Sequence, residues 1–158
     1  MGDYSFRPVT EADLPMLADW LQTPAVSPWW RGAEKQLAGI AEDLCDPAMT
    51  QVIALSGESP IAYAQFYEAH HWDAPHFRTL PQGTLAIDVF AGPEGLGHGG
   101  GWLRALSDKL LADAPALVID PEPTNARAIR AYEKAGFAGD VIAASEDGTP
   151  ARIMTRYR

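Results

Sequence analysis

The chain has 158 residues, 47% of them hydrophobic, with 21 acidic against 12 basic side chains and a formal charge of −9. That is enough apolar material for one core and argues against a second domain or a long disordered tract. The acidity disfavours a nucleic-acid backbone as partner and favours a cationic small molecule or a basic peptide.

Cys45 is the single cysteine, which excludes an internal disulfide and a cysteine-built zinc site. No apolar run approaches the roughly 18 residues of a membrane span. The opening "MGDYSFRP" lacks both the apolar centre of a signal peptide and the serine or threonine that myristoylation requires at its sixth position. A cytoplasmic protein without membrane or nucleic-acid partners is expected, as a monomer or homodimer.

In chain order, "YSFRPV" (4–9) predicts a strand. Thr10 then opens a helix in which Leu14, Leu17, Ala18 and Leu21 share a face and Thr10 with Asp13 forms a capping pair. "SPWWRG" (27–32) is a turn-rich connection before a second helix over 34–44. Two β-rich runs within 50–70, separated by "SGES", predict an antiparallel hairpin. "HWDAPHFRTLPQ" (71–82) has no periodicity and is expected to be a loop, and "GTLAIDVF" (83–90) returns to strand. Helical spacing resumes from Gly97 and runs through Leu111. "PALVID" (115–120) is apolar enough to be buried on both faces, and the helix after Asp120 leads to a closing hairpin around "EDG". Strand, two helices, three strands, helix, strand, helix and two strands make a mixed α/β (α+β) sheet flanked by helices, in one domain over 1–158.

Two stretches carry chemistry. "AGPEGLGHGGGW" lies between a strand and a helix, where glycines let backbone N–H groups approach a ligand and the helix N-terminus favours phosphate. Gly95, Gly97 and Gly100 satisfy G-x-G-x-x-G, with Asp120 twenty residues beyond Gly100, but too little chain follows Asp120 to complete a doubly wound sheet. A Walker loop is excluded, because His98 and Gly99 stand where Lys and Ser or Thr are required. A plain glycine turn remains the alternative.

The second stretch is "DPEPTNARAIRAYEKAGF" (120–137). Pro121 and Pro123 end the preceding strand, Thr124 or Asn125 can cap the helix, and Tyr132 lies two turns beyond Asn125 on the same face. "LGHGGG" (96–101) followed by a helix, a buried strand and N-x-x-A-x-x-x-Y-x-x-x-G-F resembles the GNAT superfamily of acyl-coenzyme A dependent N-acyltransferases. The resemblance covers essentially the whole chain and implies a single GNAT-like domain whose central strands splay to admit the pantetheine arm. "SPWWRG", "IAYAQFYEA", "AIDVF" and "DGTPARIM" add a narrower resemblance to the aminoglycoside 6′-N-acetyltransferase-like group.

The resemblance implies acetyl-CoA as cofactor, held by the backbone of Leu96, Gly97, His98, Gly99, Gly100 and Gly101. Val89 and Phe90 would polarise the acetyl carbonyl, Asn125 would meet the pantetheine arm, and Tyr132 would protonate the leaving thiolate. Leu96 departs from the family, where Arg or Gln is usual. Asn125 as a cap alone and Tyr132 as a core residue are the competing readings.

Amine acylation needs a group that binds an ammonium and accepts its proton. Asp88, the lone charge of an apolar strand, is the candidate base, against a solvated strand end or a water in that role. Asp120 either caps the following turn or binds acceptor ammonium groups. Trp29, Trp30, Tyr63 and Trp72 would form an aromatic wall for a cationic or sugar-like acceptor, against ordinary core. His70, His71 and Asp73 lack a regularly spaced third ligand, so no metal is expected.

The expected activity is N-acetylation of a small polycationic amine, with an aminoglycoside among the candidates. A siderophore-type lysine acyltransferase and a non-catalytic acyl-CoA-binding regulatory module are the rivals.

Overall fold

A computed structural model describes residues 3–158, so the first two residues of the "MGDYSFRP" segment lie outside the described residues. β1 (Tyr4–Pro8) pairs antiparallel with β2 (Thr50–Ser56), from Tyr4↔Ser56 to Pro8↔Val52. Between them, a 3₁₀ turn at Glu11–Asp13 leads into α1 (Leu14–Leu21), and α2 (Ala33–Asp43) follows. The expected capping pair is present: the Thr10 N–H donates to Asp13 Oδ2 at 2.9 Å. The Arg7 guanidinium grips both oxygens of the same carboxylate at 2.8 Å and holds it below the usual carboxylate range.

β3 (Ser59–Glu68), β4 (Leu85–Ala91), α3 (Gly101–Leu110), β5 (Ala116–Ile119) and α4 (Ala126–Lys134) follow, and β6 (Ala138–Ala144) and β7 (Pro150–Tyr157) close the chain. The seven strands hydrogen-bond in the order β1-β2-β3-β4-β5-β7-β6. β4 and β5 run parallel, which requires a crossover, and α3 supplies it; β5 with β7 and β6 with β7 are antiparallel. The element order is the one read from the sequence. All four residues of β5 are buried, as an apolar interior strand must be.

The chain resolves into two compact units. The first comprises Phe66–Asp88 with His98–Arg158; the second comprises the residues through Gln65 with Val89–Gly97. In the second unit, Leu17, Leu21, Ile40 and Ile53 pack with Trp20, Tyr63 and Phe90. In the first, Phe77 is buried among Ala69, Ala74, Ala86 and Val118.

Two local expectations are revised. The 71–82 loop contains a 3₁₀ turn at Pro75–Phe77, because burying the Phe77 ring contributes about 1.5–3 kcal/mol and draws the backbone inward. The glycine loop is not helical from Gly97: a 3₁₀ turn spans Pro93–His98, Gly99 takes φ +54°, and the α-helix begins at Gly101.

Candidate active site

The topology assembles a site in the first unit. Parallel strands end on the same side of a sheet, so Asp88 on β4 and Asp120 just after β5 are carried to one edge. The β4–β5 register covers Leu85↔Leu117 and Ala86↔Val118, while β4 continues to Ala91. The pairing thus stops before the C-terminal end of either strand. β7 runs antiparallel to β5, from Ala116↔Tyr157 to Ile119↔Met154, so the turn before β7 lies beyond the end of β5. The Arg152 N–H continues that pairing to the Pro121 carbonyl at 2.8 Å.

Tyr132 is set by the way α4 ends. The Phe137 N–H returns to the Tyr132 carbonyl and the Gly136 N–H to the Glu133 carbonyl, each at 3.0 Å, with Gly136 at φ +99°. This paired closure needs a left-handed residue, which glycine adopts without a Cβ penalty. At the other end, the Asn125 side chain accepts the Ala128 N–H at 3.4 Å, so Asn125 rather than Thr124 caps the helix. That contact engages Oδ1 and leaves the amide NH₂ available to a ligand.

The Tyr132 hydroxyl makes no hydrogen bond among the described residues. Burial pushes its phenol well above the usual range, and the charges of Asp88 and then Asp120 push it further. Tyr67 on β3 is raised in the same way by burial, then by Asp88, Asp120 and Glu146. Both phenols are therefore neutral at physiological pH, and both lie within the field of the same two carboxylates.

A cavity of about 260 Å³ is lined by Tyr67, His76, Phe77, Asp120, Ser145, Glu146 and Asp147. Below the roughly 300–1,000 Å³ of a whole drug-sized site, it suits one ring or one ammonium-bearing arm. Asp120 accepts at Oδ2 from His76 Nε2 at 2.9 Å. The Ser145 hydroxyl and the Thr149 N–H donate to Asp147 Oδ1 at 2.6 and 2.9 Å and hold that carboxyl down to about 2. The cavity thus keeps negative charge at any physiological pH.

The α3 N-terminus belongs to the same unit. A Cβ on Gly100 would strike the Ala131 carbonyl oxygen, so this glycine lets α3 abut α4. A Cβ on Gly99 would meet no atom within 4 Å beyond its chain neighbours. The first intrahelical bond, from the Arg104 N–H to the Gly100 carbonyl at 2.8 Å, leaves the Gly101–Leu103 N–H groups without helix partners. His98 is half-buried. Unpaired N–H groups at a helix N-terminus fit a phosphate-bearing cofactor.

The second unit holds the other residues singled out by sequence. Leu96 is 44% exposed, and a side chain on Gly97 would meet nothing within 4 Å. Trp30 donates its indole N–H to the Val89 carbonyl at 3.2 Å and packs edge-on against Tyr63 and Phe90. Tyr63 is 0% exposed, stacks on Phe90 at 4.9 Å, and donates its hydroxyl to Gln65 at 2.6 Å. Trp29 is half-buried. Trp72 belongs to the first unit, 37% exposed and edge-on to Tyr67 at 5.0 Å, so neither unit alone assembles the four-ring wall. His70 bonds to the Phe77 carbonyl at 3.0 Å. No group of three metal-ligating side chains converges among the described residues.

A family model for the acetyltransferase (GNAT) domain matches residues 9–141. The chain belongs to the GNAT acetyltransferase family.

This GNAT chain is 37% identical to the aminoglycoside N(6′)-acetyltransferase type 1 of Klebsiella pneumoniae over 98% of its own length and 83% of that protein's. It is similar in structure to AAC(6′)-Ib in complex with paromomycin and acetyl-CoA, with TM-score 0.82, 34% identity, and coverage of 99% and 94% of the two chains. A structure of the same enzyme with coenzyme A and kanamycin gives TM-score 0.81 and 32% identity, covering 99% and 95%.

Sequence reasoning passed over Tyr67, His76, Ser145, Glu146 and Asp147. The available signal was the pairing of the final hairpin: once β7 is antiparallel to β5, the "SEDG" turn must lie beside Asp120. For His76 the signal was Phe77, an apolar anchor inside a polar loop.

Proposed function

We propose that this GNAT chain is an acetyl-CoA dependent N-acetyltransferase whose acceptor is the primary amine of a small polycation, an aminoglycoside in the first instance. The observation that carries this is the meeting of a neutral Tyr132 phenol with the charges of Asp88 and Asp120 in one unit, beside a carboxylate-lined cavity. Its relatives are aminoglycoside N(6′)-acetyltransferases, solved with acetyl-CoA or coenzyme A and with kanamycin or paromomycin. An acidic chain with no helix among the described residues long and apolar enough to cross a membrane is compatible with work in the cytoplasm on a free small molecule.

Acetyl-CoA supplies an acetyl group activated as a thioester. The backbone of Leu96–Gly101, running into the α3 N-terminus, holds the pyrophosphate, and the Asn125 NH₂ orients the pantetheine arm. Val89 and Phe90 offer backbone N–H groups to the acetyl carbonyl. Asp120 anchors an ammonium of the acceptor. Asp88 takes the proton that the attacking nitrogen must lose, and Tyr132 delivers its proton to the departing sulfur. One C–N bond forms and one C–S bond breaks; an acceptor that arrives as ammonium first releases one proton to solvent, and the proton that nitrogen then gives to Asp88 returns through solvent to the Tyr132 phenolate, which resets both groups. The carboxylates that disfavour a phenolate at Tyr132 equally disfavour a free thiolate there, so proton delivery is assisted by the same field.

Thiol release measured with kanamycin, paromomycin, spermidine and free lysine tests the reading. Turnover with kanamycin is expected to exceed that with lysine. Turnover on lysine alone points to the lysine acyltransferase reading, and coenzyme binding with no thiol release points to a regulatory module.

A further inference from the structure

His76 takes no part in the proton transfers above, yet it is bonded to a residue that binds the acceptor. It sits in the 3₁₀ turn Pro75–Phe77, whose Phe77 is locked into the core, and its own side chain keeps only 3% exposure. Nε2 lies 2.9 Å from Asp120 Oδ2. An ionised carboxylate can only accept, so the proton at this contact is on Nε2. Nδ1 is buried with no partner among the described residues. The Nε2–H therefore satisfies one Asp120 oxygen, while Nδ1 makes no contact that would turn the ring elsewhere.

The other Asp120 oxygen makes no hydrogen bond among the described residues. The carboxylate keeps 23% exposure and lines the cavity with Tyr67, Glu146 and Asp147. Left alone, a carboxylate just past a strand end would rotate; a buried, anchored donor removes that freedom before the ligand arrives.

We propose that His76 is a positioning residue for acceptor binding: its Nε2–H fixes Asp120 so that the remaining carboxylate oxygen meets an ammonium of the amine, making position 76 a determinant of which amines bind. This rests on the reading of Asp120 as an ammonium anchor.

The test uses the full chain with kanamycin and spermidine, and the variants His76→Leu, His76→Gln, Asp120→Asn and His76→Leu/Asp120→Asn, each checked by thermal unfolding. Loss of the donor in His76→Leu is expected to raise the kanamycin KM about tenfold, as for a lost hydrogen bond to a charged group. The KM for acetyl-CoA should stay within about twofold. Gln can place an amide N–H where Nε2 stood, and His76→Gln should recover most of the loss. In the Asp120→Asn background, removing His76 should add little, the mark of two residues acting as one unit.

A folded His76→Gln as impaired as His76→Leu, or fully additive losses in the double variant, would overturn the proposal. Nitrogen-15 spectra of the imidazole in the parent provide a readout independent of turnover. An Nε2-protonated ring whose signal shifts in Asp120→Asn is expected, and an Nδ1-protonated ring overturns the inference even if amines are acetylated.

A parent that shows the expected tautomer but acetylates neither amine refutes the proposed activity instead. Calorimetric binding of kanamycin then decides the positioning role, and it fails if His76→Leu binds as tightly as the parent or if the parent binds neither amine.

Discussion

Both units gather aromatic rings and use them to different ends. In the unit that runs through Gln65 and resumes at Val89–Gly97, Trp20, Trp30, Tyr63 and Phe90 interlock edge-on and stacked. The polar atoms of two of them end on protein: the Trp30 indole on the Val89 carbonyl, and the Tyr63 hydroxyl between Gln51 at 3.2 Å and Gln65 at 2.6 Å. In the other unit, the Tyr67 and Tyr132 hydroxyls have no hydrogen-bond partner among the described residues and lie in the field of Asp88 and Asp120. A satisfied buried hydroxyl supports a core; one without a protein partner is left for water or a ligand to complete. The fate of the polar atom, rather than residue type, separates the rings of one unit from those of the other.

The largest expected effect is at the carboxylate that acts on both free tyrosines. Asp88→Asn should lower turnover by roughly 10²–10⁴, a barrier increase of about 3–5 kcal/mol, with folding intact. If Asp88 only binds the cation, the acceptor KM rises and turnover survives, which steady-state kinetics separates directly.

Paired Tyr→Phe substitutions break the comparison open. Tyr132→Phe should reduce turnover by about 10² while its melting temperature holds, since no protein hydrogen bond is lost. Tyr63→Phe should do the reverse: a loss of about 1–3 kcal/mol in denaturant unfolding, because the buried hydroxyl's bonds to Gln51 and Gln65 are lost, with turnover unchanged. If Tyr63→Phe lowered turnover at full stability, the second unit's aromatic core would have to be counted with the site.

Gly136→Ala sharpens the same contrast from the backbone. At φ +99°, with a Cβ only 3.0 Å from Arg156 Nε, it should cost about 1 kcal/mol or slightly more in unfolding and also lower turnover, because the closure of α4 holds Tyr132.

The smallest effect is in alkali. Tyr67 and Tyr132 have raised phenols in the folded state, so the unfolded chain loses these protons first. Stability should begin to fall as pH rises past the unfolded value of about 10. Tyr132→Phe/Tyr67→Phe should flatten that limb, as followed by thermal unfolding between pH 9 and about 11.

Much of this was legible in the chain. Periodicity and turn chemistry located the seven strands and four helices because each depends on neighbours within a few residues. Leu14, Leu17 and Leu21 share a face whatever lies opposite, and Pro121 must end a strand wherever that strand sits. The 3₁₀ turn that buries Phe77 was not legible, since its stability comes from Ala86 and Val118, residues far along the chain.

Asp88, Asp120 and Tyr132 could be singled out from sequence, through a lone charge in an apolar strand and a proline-stopped, glycine-closed helix. That the charges of Asp88 and Asp120 act on Tyr132, that Asn125 rather than Thr124 takes the cap, and that Tyr63 spends its hydroxyl inside a core are outcomes of tertiary structure. So is the pairing of His76 with Asp120, 44 residues apart. Local rules decide which residues start, stop and line an element, because the relevant forces act across one turn or one hydrogen bond. Burial, electrostatic fields and the satisfaction of polar atoms depend on what the rest of the chain brings within a few ångströms, and only strand order and register determine that.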